Sequence, residues 1–142
     1  MIVADTNLVT YLLIEGPMTE LARKVFMLAP DWCLPALWRS EFRNTMAGYL
    51  RATGLDLQEA TRHTKDAEAQ FGSRDVTVDS ADVLELVAGS SCTAYDCEFV
   101  SAARSLGAPL VTSDRQVLAE FPDVAVSPED FLDGRGAAAG GD

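Results

Sequence analysis

The chain has 142 residues, of which 48% are hydrophobic and 23% are charged, values typical of one folded domain with a sizeable core. Its 11 basic and 22 acidic residues give a net charge of −11, which argues against a duplex-binding protein and suits a basic partner. The apolar start, Met-Ile-Val-Ala, lacks a basic flank and ends in Asp5, so it does not resemble a signal peptide. No apolar run approaches the ~18 residues of a membrane span, and we expect a cytoplasmic protein.

Short apolar strands alternate with amphipathic helices along the chain. Strands are predicted at residues 2–4, 32–34, 76–78, 110–112 and 124–126. Helices are predicted at residues 8–14, 19–29, 35–54, 57–71, 80–88 and 94–106, with a short helix opened by Asp114 and a last turn from 127. Ser80 is the expected cap of the helix at 80–88. This order predicts an α/β fold in three layers, α/β/α, with a mostly parallel sheet between helices.

The domain is predicted to span residues 1–133. Residues 134–142 are rich in glycine and alanine, and we expect them to form a flexible tail without a function of its own.

Cysteine and histidine usage narrows the possible chemistry. Cys33, Cys92 and Cys97 are odd in number and irregular in spacing, which predicts reduced thiols that pack rather than a disulfide framework or a zinc site. The single histidine, His63, lies in a polar helical stretch with no setting for a Ser-His-Asp triad. Any catalysis by this chain must therefore depend on carboxylates.

Four acidic residues follow or interrupt apolar segments: Asp5, Glu41, Asp96 and Asp114. Asp5 and Asp114 come directly after predicted strands, and ligands of parallel α/β sheets bind beyond the carboxyl ends of the strands. Both residues could instead cap the helices that follow them. Asp96 comes three residues after Thr93, a spacing that resembles a capping box, although it could also point into a cleft.

Glu41 is the most informative of the four. At ~100° per residue, it lies about 40° from Leu37 on the apolar side of its helix, whereas Arg39 and Arg43 lie on the opposite side. A glutamate on an inward face needs a partner, because an unpaired buried charge is costly.

A divalent metal would explain all four acids together. Neighbouring carboxylates repel one another and raise one another's pKa values, and a bound cation removes that conflict. Oxygen-only ligands favour Mg²⁺ or Mn²⁺ over zinc or copper. The sequence therefore predicts a site that clamps phosphodiester oxygens and activates water.

With these motifs the chain resembles PIN-domain ribonucleases and, more narrowly, VapC-type toxins of type II toxin–antitoxin systems. The matching segments are residues 2–7, 35–41, 95–97 and 110–114, and the resemblance runs from Met1 to about Phe131. It implies a PIN-like fold, an endoribonuclease dependent on Mg²⁺ or Mn²⁺, and a homodimer. It also implies a cognate antitoxin whose basic C-terminal segment occludes the acidic site, in a heterotetramer or larger complex.

The resemblance assigns roles residue by residue. Asp5, Glu41, Asp96 and Asp114 become the catalytic and metal-binding quartet, with Asp5 and Asp96 as direct ligands. Glu41 and Asp114 would bind a second metal or act through water. The residues expected to orient these carboxylates are Thr6, Asn7, Thr112 and Ser113.

Basic and aromatic residues are candidates for contacts to RNA. Three arginines near the expected cleft are candidates, with ordinary surface charge as the alternative: Arg39, Arg43 and Arg115. Three aromatic residues could stack on bases, although core packing is the expected role of each: Trp32, Trp38 and Tyr95.

Three other functions are alternatives to a toxin ribonuclease. A PIN nuclease of RNA processing or decay, without an antitoxin, would use the same catalytic residues. A catalytically silent RNA- or protein-binding module would not need four carboxylates. A phosphotransfer receiver would need a lysine after a late strand, and the two lysines, Lys24 and Lys65, do not follow one.

Overall fold

Five short parallel strands form the centre of the molecule, in the order β3-β2-β1-β4-β5. They are seen in a computed structural model that describes residues 1–136. The strands are β1 (Ile2–Ala4), β2 (Trp32–Pro35), β3 (Asp75–Val76), β4 (Leu110–Val111) and β5 (Ala125–Val126). All residues of β1, β2, β4 and β5 are buried, as expected for a parallel sheet covered on both faces.

Helices connect the strands and cover the sheet. Over the described residues they are α1 (Thr6–Leu13), α2 (Thr19–Leu28), α3 (Trp38–Ala52), α4 (Leu57–Phe71), α5 (Ser80–Ala88), α6 (Ala94–Leu106), α7 (Arg115–Glu120) and α8 (Pro128–Leu132). A 3₁₀ turn (Gly72–Arg74) precedes β3.

The helices fall into two groups around the sheet. Helices α1 to α4 pack against one another, and α8 packs on α2. Helix α5 packs on α6, and α6 lies against β1, β2 and β4. The result is the predicted three-layer α/β/α sandwich with a parallel sheet.

Most element boundaries agree with the sequence patterns, and two corrections concern local chemistry. Pro35 was predicted to begin α3, but it ends β2 opposite Val76, and the helix begins at Trp38. A proline keeps its carbonyl acceptor although it lacks an N–H, so it can close a strand. The cap of α5 is Asp79 rather than Ser80, since the Asp79 carboxylate accepts a hydrogen bond from the Asp82 N–H at 3.2 Å.

Two further expectations can be set against the described part of the chain. Cys33, Cys92 and Cys97 are free and buried, as predicted for thiols that pack. None of the helices within residues 1–136 has the length and apolar character needed to cross a membrane. The flexible tail predicted for residues 134–142 falls mostly on 137–142, which lie outside the described residues.

Candidate active site

A cavity of about 720 Å³ opens where β1, β2 and β4 end, and all four predicted acids line it. The acids come from four separate segments: Asp5 follows β1, Glu41 lies in α3, Asp96 in the first turn of α6, and Asp114 precedes α7. The fold therefore brings together residues that are up to 109 positions apart, since 114 − 5 = 109. We call this cavity the acidic pocket.

Asp5 is both a helix cap and a pocket residue. One carboxylate oxygen accepts the Leu8 N–H at 2.9 Å and caps α1, while the other accepts the Thr112 hydroxyl at 2.6 Å. Capping does not exclude a functional role for Asp5, because its two carboxylate oxygens allow it to cap α1 and still line the pocket.

Glu41 lies on the pocket side of α3, as its helical position predicts. Its carboxylate accepts the Thr6 hydroxyl at 2.7 Å, from the first residue of α1. The buried face of the helix carries Trp38, Phe42 and Met46, so Glu41 stands beside the apolar stripe and is itself half-buried.

The Thr112 hydroxyl connects two of the acids. It donates to Asp5 and accepts the backbone N–H of Asp114 at 3.1 Å. The Asp114 carboxylate caps α7 by accepting the N–H groups of Gln116 and Val117 at 2.9 and 3.0 Å. Ser113 and Asn7 are exposed, and only Asn7 of these two lines the pocket.

Asp96 is held differently from the other acids. The hydroxyl of Thr93 caps α6 by accepting the Asp96 N–H at 3.1 Å. Among the hydrogen bonds of residues 1–136, none reaches the Asp96 carboxylate. The direction of this group therefore depends on where α6 begins.

Two of the acids, Asp5 and Glu41, have raised pKa values. Burial raises the pKa of Asp5 above its usual value of 3.8; the Thr112 hydrogen bond opposes this rise and the charge of Asp114 adds to it. Burial also raises the pKa of Glu41; the Thr6 hydroxyl opposes that rise and the charges of Asp5 and Asp96 add to it. The pKa of both groups thus rises chiefly through burial, and the neighbouring carboxylates add to the rise.

The donor set suits a hard divalent cation. The four acids offer oxygen ligands, and among the described residues lining the pocket there is no lysine or arginine. As placed, no three acidic, histidine or cysteine side chains within residues 1–136 are close enough to hold one ion. An ion held by three of these acids would require their carboxylates to lie closer together than they do here.

The three arginines proposed as RNA contacts lie outside the pocket lining. Arg39 contacts Asp75 at 2.9 Å, Glu68 at 3.3 Å and the Gly72 carbonyl at 2.9 Å, so its donors are already engaged within the protein. Arg43 is exposed and lies 3.6 Å from Glu68, and Arg115 is exposed at the start of α7. An RNA-binding role for the three arginines stays a prediction.

Sequence reasoning missed part of the pocket wall. Ser40, Asn44 and Thr45 line it from α3, one to four positions from Glu41, and extending the helical pattern of Glu41 would have found them. Tyr95 was expected in the core, like Trp32 and Trp38. Both tryptophans are buried, but Tyr95 is 61% exposed at the pocket because it precedes Asp96 at the outer end of α6.

The fold and the acidic pocket define an α/β domain with a carboxylate site at the carboxyl end of a parallel sheet. The PIN domain family model matches residues 2–125, and the chain belongs to the PIN-domain family. PIN domains are generally nucleases that use divalent metals.

Two solved structures are similar to the whole fold. PAE2754 from Pyrobaculum aerophilum has a TM-score of 0.73 at 24% identity, over 95% of this chain and 98% of that one. FitAcB from Neisseria gonorrhoeae has a TM-score of 0.70 at 19% identity, over 91% of this chain and 99% of that one. A comparison with curated protein sequences found no match.

Proposed function

We propose that this protein is a Mg²⁺- or Mn²⁺-dependent endoribonuclease and that it acts as the VapC-type toxin of a toxin–antitoxin pair. The observation that carries the nuclease part is the convergence of Asp5, Glu41, Asp96 and Asp114 on one pocket. A site made of four carboxylates repels a phosphodiester unless a cation lies between them. Membership of the PIN-domain family supports the same chemistry.

In the proposed mechanism, Asp5 and Asp96 would hold the cation, and Glu41 and Asp114 would hold a second ion or act through water. The bound ion would supply Lewis acidity toward the phosphate oxygens and lower the pKa of a water ligand. Thr112 and Thr6 keep the Asp5 and Glu41 carboxylates oriented through bonds of 2.6 and 2.7 Å. In-line attack of water on RNA would leave a 5′-phosphate and a 3′-hydroxyl.

The toxin part of the proposal is supported by charge. A net charge of −11 and a pocket walled by carboxylates suit a basic antitoxin segment that inserts an arginine among them. The same proposal includes a homodimer, a heterotetramer or larger complex with the antitoxin, and a cytoplasmic location where RNA is available. Arg43 and Arg115, with Arg39 if it leaves its present partners, would supply the basic contacts to RNA.

A cleavage assay on structured RNA tests the nuclease assignment. Wild-type protein with Mg²⁺ or Mn²⁺ should cleave, whereas Asp5→Asn, Asp96→Asn and addition of EDTA should each abolish cleavage. Asp79→Asn is the matched control, because Asp79 is also an N-cap aspartate but lies outside the pocket. Cleavage that survives both pocket substitutions would refute the assignment.

A PIN nuclease of RNA processing or decay is the second candidate, and its pocket would be the same. A small upstream gene for a DNA-binding protein with a basic C-terminal segment would support the toxin. The purified product of that gene should form a complex with this chain and inhibit cleavage. Expression of the wild-type protein should arrest growth, whereas expression of Asp5→Asn should not. Relief of this arrest by the upstream gene product would support the toxin assignment. A catalytically silent binding module would show neither cleavage nor arrest.

A further inference from the structure

The loop between α5 and α6 is fastened to α7 by a hydrogen-bond network, which we call the Ser91 latch and define as Ser91, Cys92, Gln116 and Glu120. Both carboxylate oxygens of Glu120 accept the Ser91 N–H at 3.1 Å, and the carboxylate also accepts the Ser91 hydroxyl and, at 3.6 Å, the Cys92 thiol. The Gln116 amide donates to the carbonyl and the hydroxyl oxygen of Ser91, both at 2.8 Å. The loop is thus held from two successive turns of α7.

Each end of the latch leads to an acid of the pocket. On one side, the Gln116 backbone N–H binds the Asp114 carboxylate at 2.9 Å while the Gln116 side chain holds Ser91. On the other side, Thr93 follows Ser91 by two positions. Its hydroxyl caps α6 by accepting the Asp96 N–H at 3.1 Å. The segments that carry Asp96 and Asp114 are therefore joined directly, through side chains at the surface.

Asp96 depends on this connection more than the other acids. Asp5 and Glu41 are each held by a threonine hydroxyl, at 2.6 and 2.7 Å. The Asp96 carboxylate accepts no hydrogen bond within residues 1–136, so the first turn of α6 alone determines its place. Helix α7 has six residues and cannot hold its position without tertiary contacts.

We propose that Gln116 and Glu120 are positioning residues for the metal site, because the Ser91 latch sets the separation of Asp96 and Asp114. This inference rests on the proposed function, since it assumes that both acids belong to one metal site in the acidic pocket. The latch residues do not line the pocket and would act only through the two helix starts. Gln116 is neutral, so the two residues act together through their hydrogen bonds to Ser91 rather than through charge.

Calorimetric titration of the full chain with Mn²⁺ tests the proposal without measuring cleavage. Gln116→Ala removes two hydrogen bonds to Ser91 and changes no charge, and it should weaken Mn²⁺ binding about tenfold, the low end for residues that orient ligands indirectly. Glu120→Ala should weaken binding at least as much. Glu120→Gln keeps one acceptor for Ser91 and should fall between wild type and Glu120→Ala. Glu59→Ala removes one exposed acidic charge from α4 and should bind as wild type does.

The possible results distinguish failure of the latch proposal from failure of the proposed function. Wild-type affinity in Gln116→Ala would overturn the proposal, and so would equal losses in Glu120→Ala and Glu120→Gln, which would indicate charge alone. If wild-type protein does not bind Mn²⁺, the proposed function fails and the latch proposal fails with it. A latch variant that does not fold is replaced by Ser91→Ala, which removes only the hydroxyl and should weaken Mn²⁺ binding to a smaller but measurable extent.

Discussion

The Thr112 hydroxyl donates a 2.6 Å hydrogen bond to the Asp5 carboxylate, across 107 positions of the chain. The bond joins the carboxyl ends of β1 and β4, which are neighbours in the sheet. The same hydroxyl accepts the Asp114 N–H at 3.1 Å. One buried threonine thus holds two of the four acids at the edge where a parallel sheet places its ligands.

Replacing this threonine should therefore affect stability and metal binding together. Thr112→Val keeps the shape but leaves the Asp114 N–H and one Asp5 oxygen without a partner, which should cost about 1–3 kcal/mol of unfolding free energy. We expect Mn²⁺ affinity to fall about tenfold, because an oriented ligand becomes mobile. Thr112→Ser keeps the hydroxyl and should bind Mn²⁺ as wild type does. Equal affinities in the valine and serine variants, measured by calorimetry, would contradict this role.

The raised pKa of Asp5 predicts an unusual dependence of protein stability on pH. Because burial raises its pKa in the folded protein, folded Asp5 binds a proton more readily than unfolded Asp5 does. The metal-free protein should therefore lose stability as pH rises from the usual pKa of 3.8 through the raised folded value, and the loss persists at neutral pH. Asp5→Asn keeps a capping oxygen and carries no charge, so in EDTA it should melt a few degrees higher than wild type at neutral pH.

One condition should abolish that difference in melting temperature, and another should reverse it. Below the usual pKa both proteins are neutral at position 5, and their melting temperatures should converge. With saturating Mn²⁺ at neutral pH, wild type should melt above Asp5→Asn, since binding to the folded state stabilises it. An Asp5→Asn protein that melts lower than wild type in EDTA at neutral pH would show that burial of the carboxylate is not destabilising.

Gly72 lies under the guanidinium of Arg39. A Cβ at this position would stand 2.5 Å from Arg39 Nη2, which donates to the Gly72 carbonyl at 2.9 Å. Arg39 also donates to Asp75, which in turn accepts the Trp38 indole N–H at 2.8 Å. Arg39 therefore cannot move away without breaking its hydrogen bonds. Gly72→Ala should destabilise the protein by about 1 kcal/mol in chemical denaturation.

The control for this substitution lies in α3, the helix that Arg39 anchors. Gly48 is in the helix interior, and a Cβ there meets no atom within 4 Å. Gly48→Ala should stabilise the protein by about 0.5–1 kcal/mol through helix propensity alone. The same chemical change is thus expected to have opposite signs at the two positions, and equal signs would refute the steric argument.

Three of the pocket acids left a local pattern, whereas the assignment of Asp96 depended on the family resemblance. Asp5 and Asp114 end apolar strands, and the helical position of Glu41 separates it from Arg39 and Arg43. The Ser91 latch has no such pattern in the sequence. Ser91 and Glu120 are 29 positions apart, and they are brought together by the packing of α6 against the sheet. Contacts of this kind depend on tertiary packing, which residue types alone do not specify.

Arg39 is a second case in which the sequence pattern does not specify the tertiary contacts of a side chain. Its position opposite the apolar face of α3 predicts an exposed side chain, and solvent or RNA were its expected surroundings. In the fold, α4 and the turn after it close over that side, and Glu68 and Asp75 engage the guanidinium. A helical pattern shows which way a side chain points but not which element covers it.

Tyr95 provides a test of the proposed RNA substrate. It is 61% exposed and lines the pocket beside Asp96, so its ring is available to stack on an unpaired base. Stacking contributes roughly 1–3 kcal/mol per base, which predicts that Tyr95→Ala raises KM for single-stranded RNA about 5- to 150-fold. Tyr95→Phe keeps the ring and should retain the wild-type KM, and kcat should change little in either variant. Equal KM values for the alanine and phenylalanine variants would exclude stacking, whereas a fall in kcat with constant KM would indicate that Tyr95 instead fixes the start of α6.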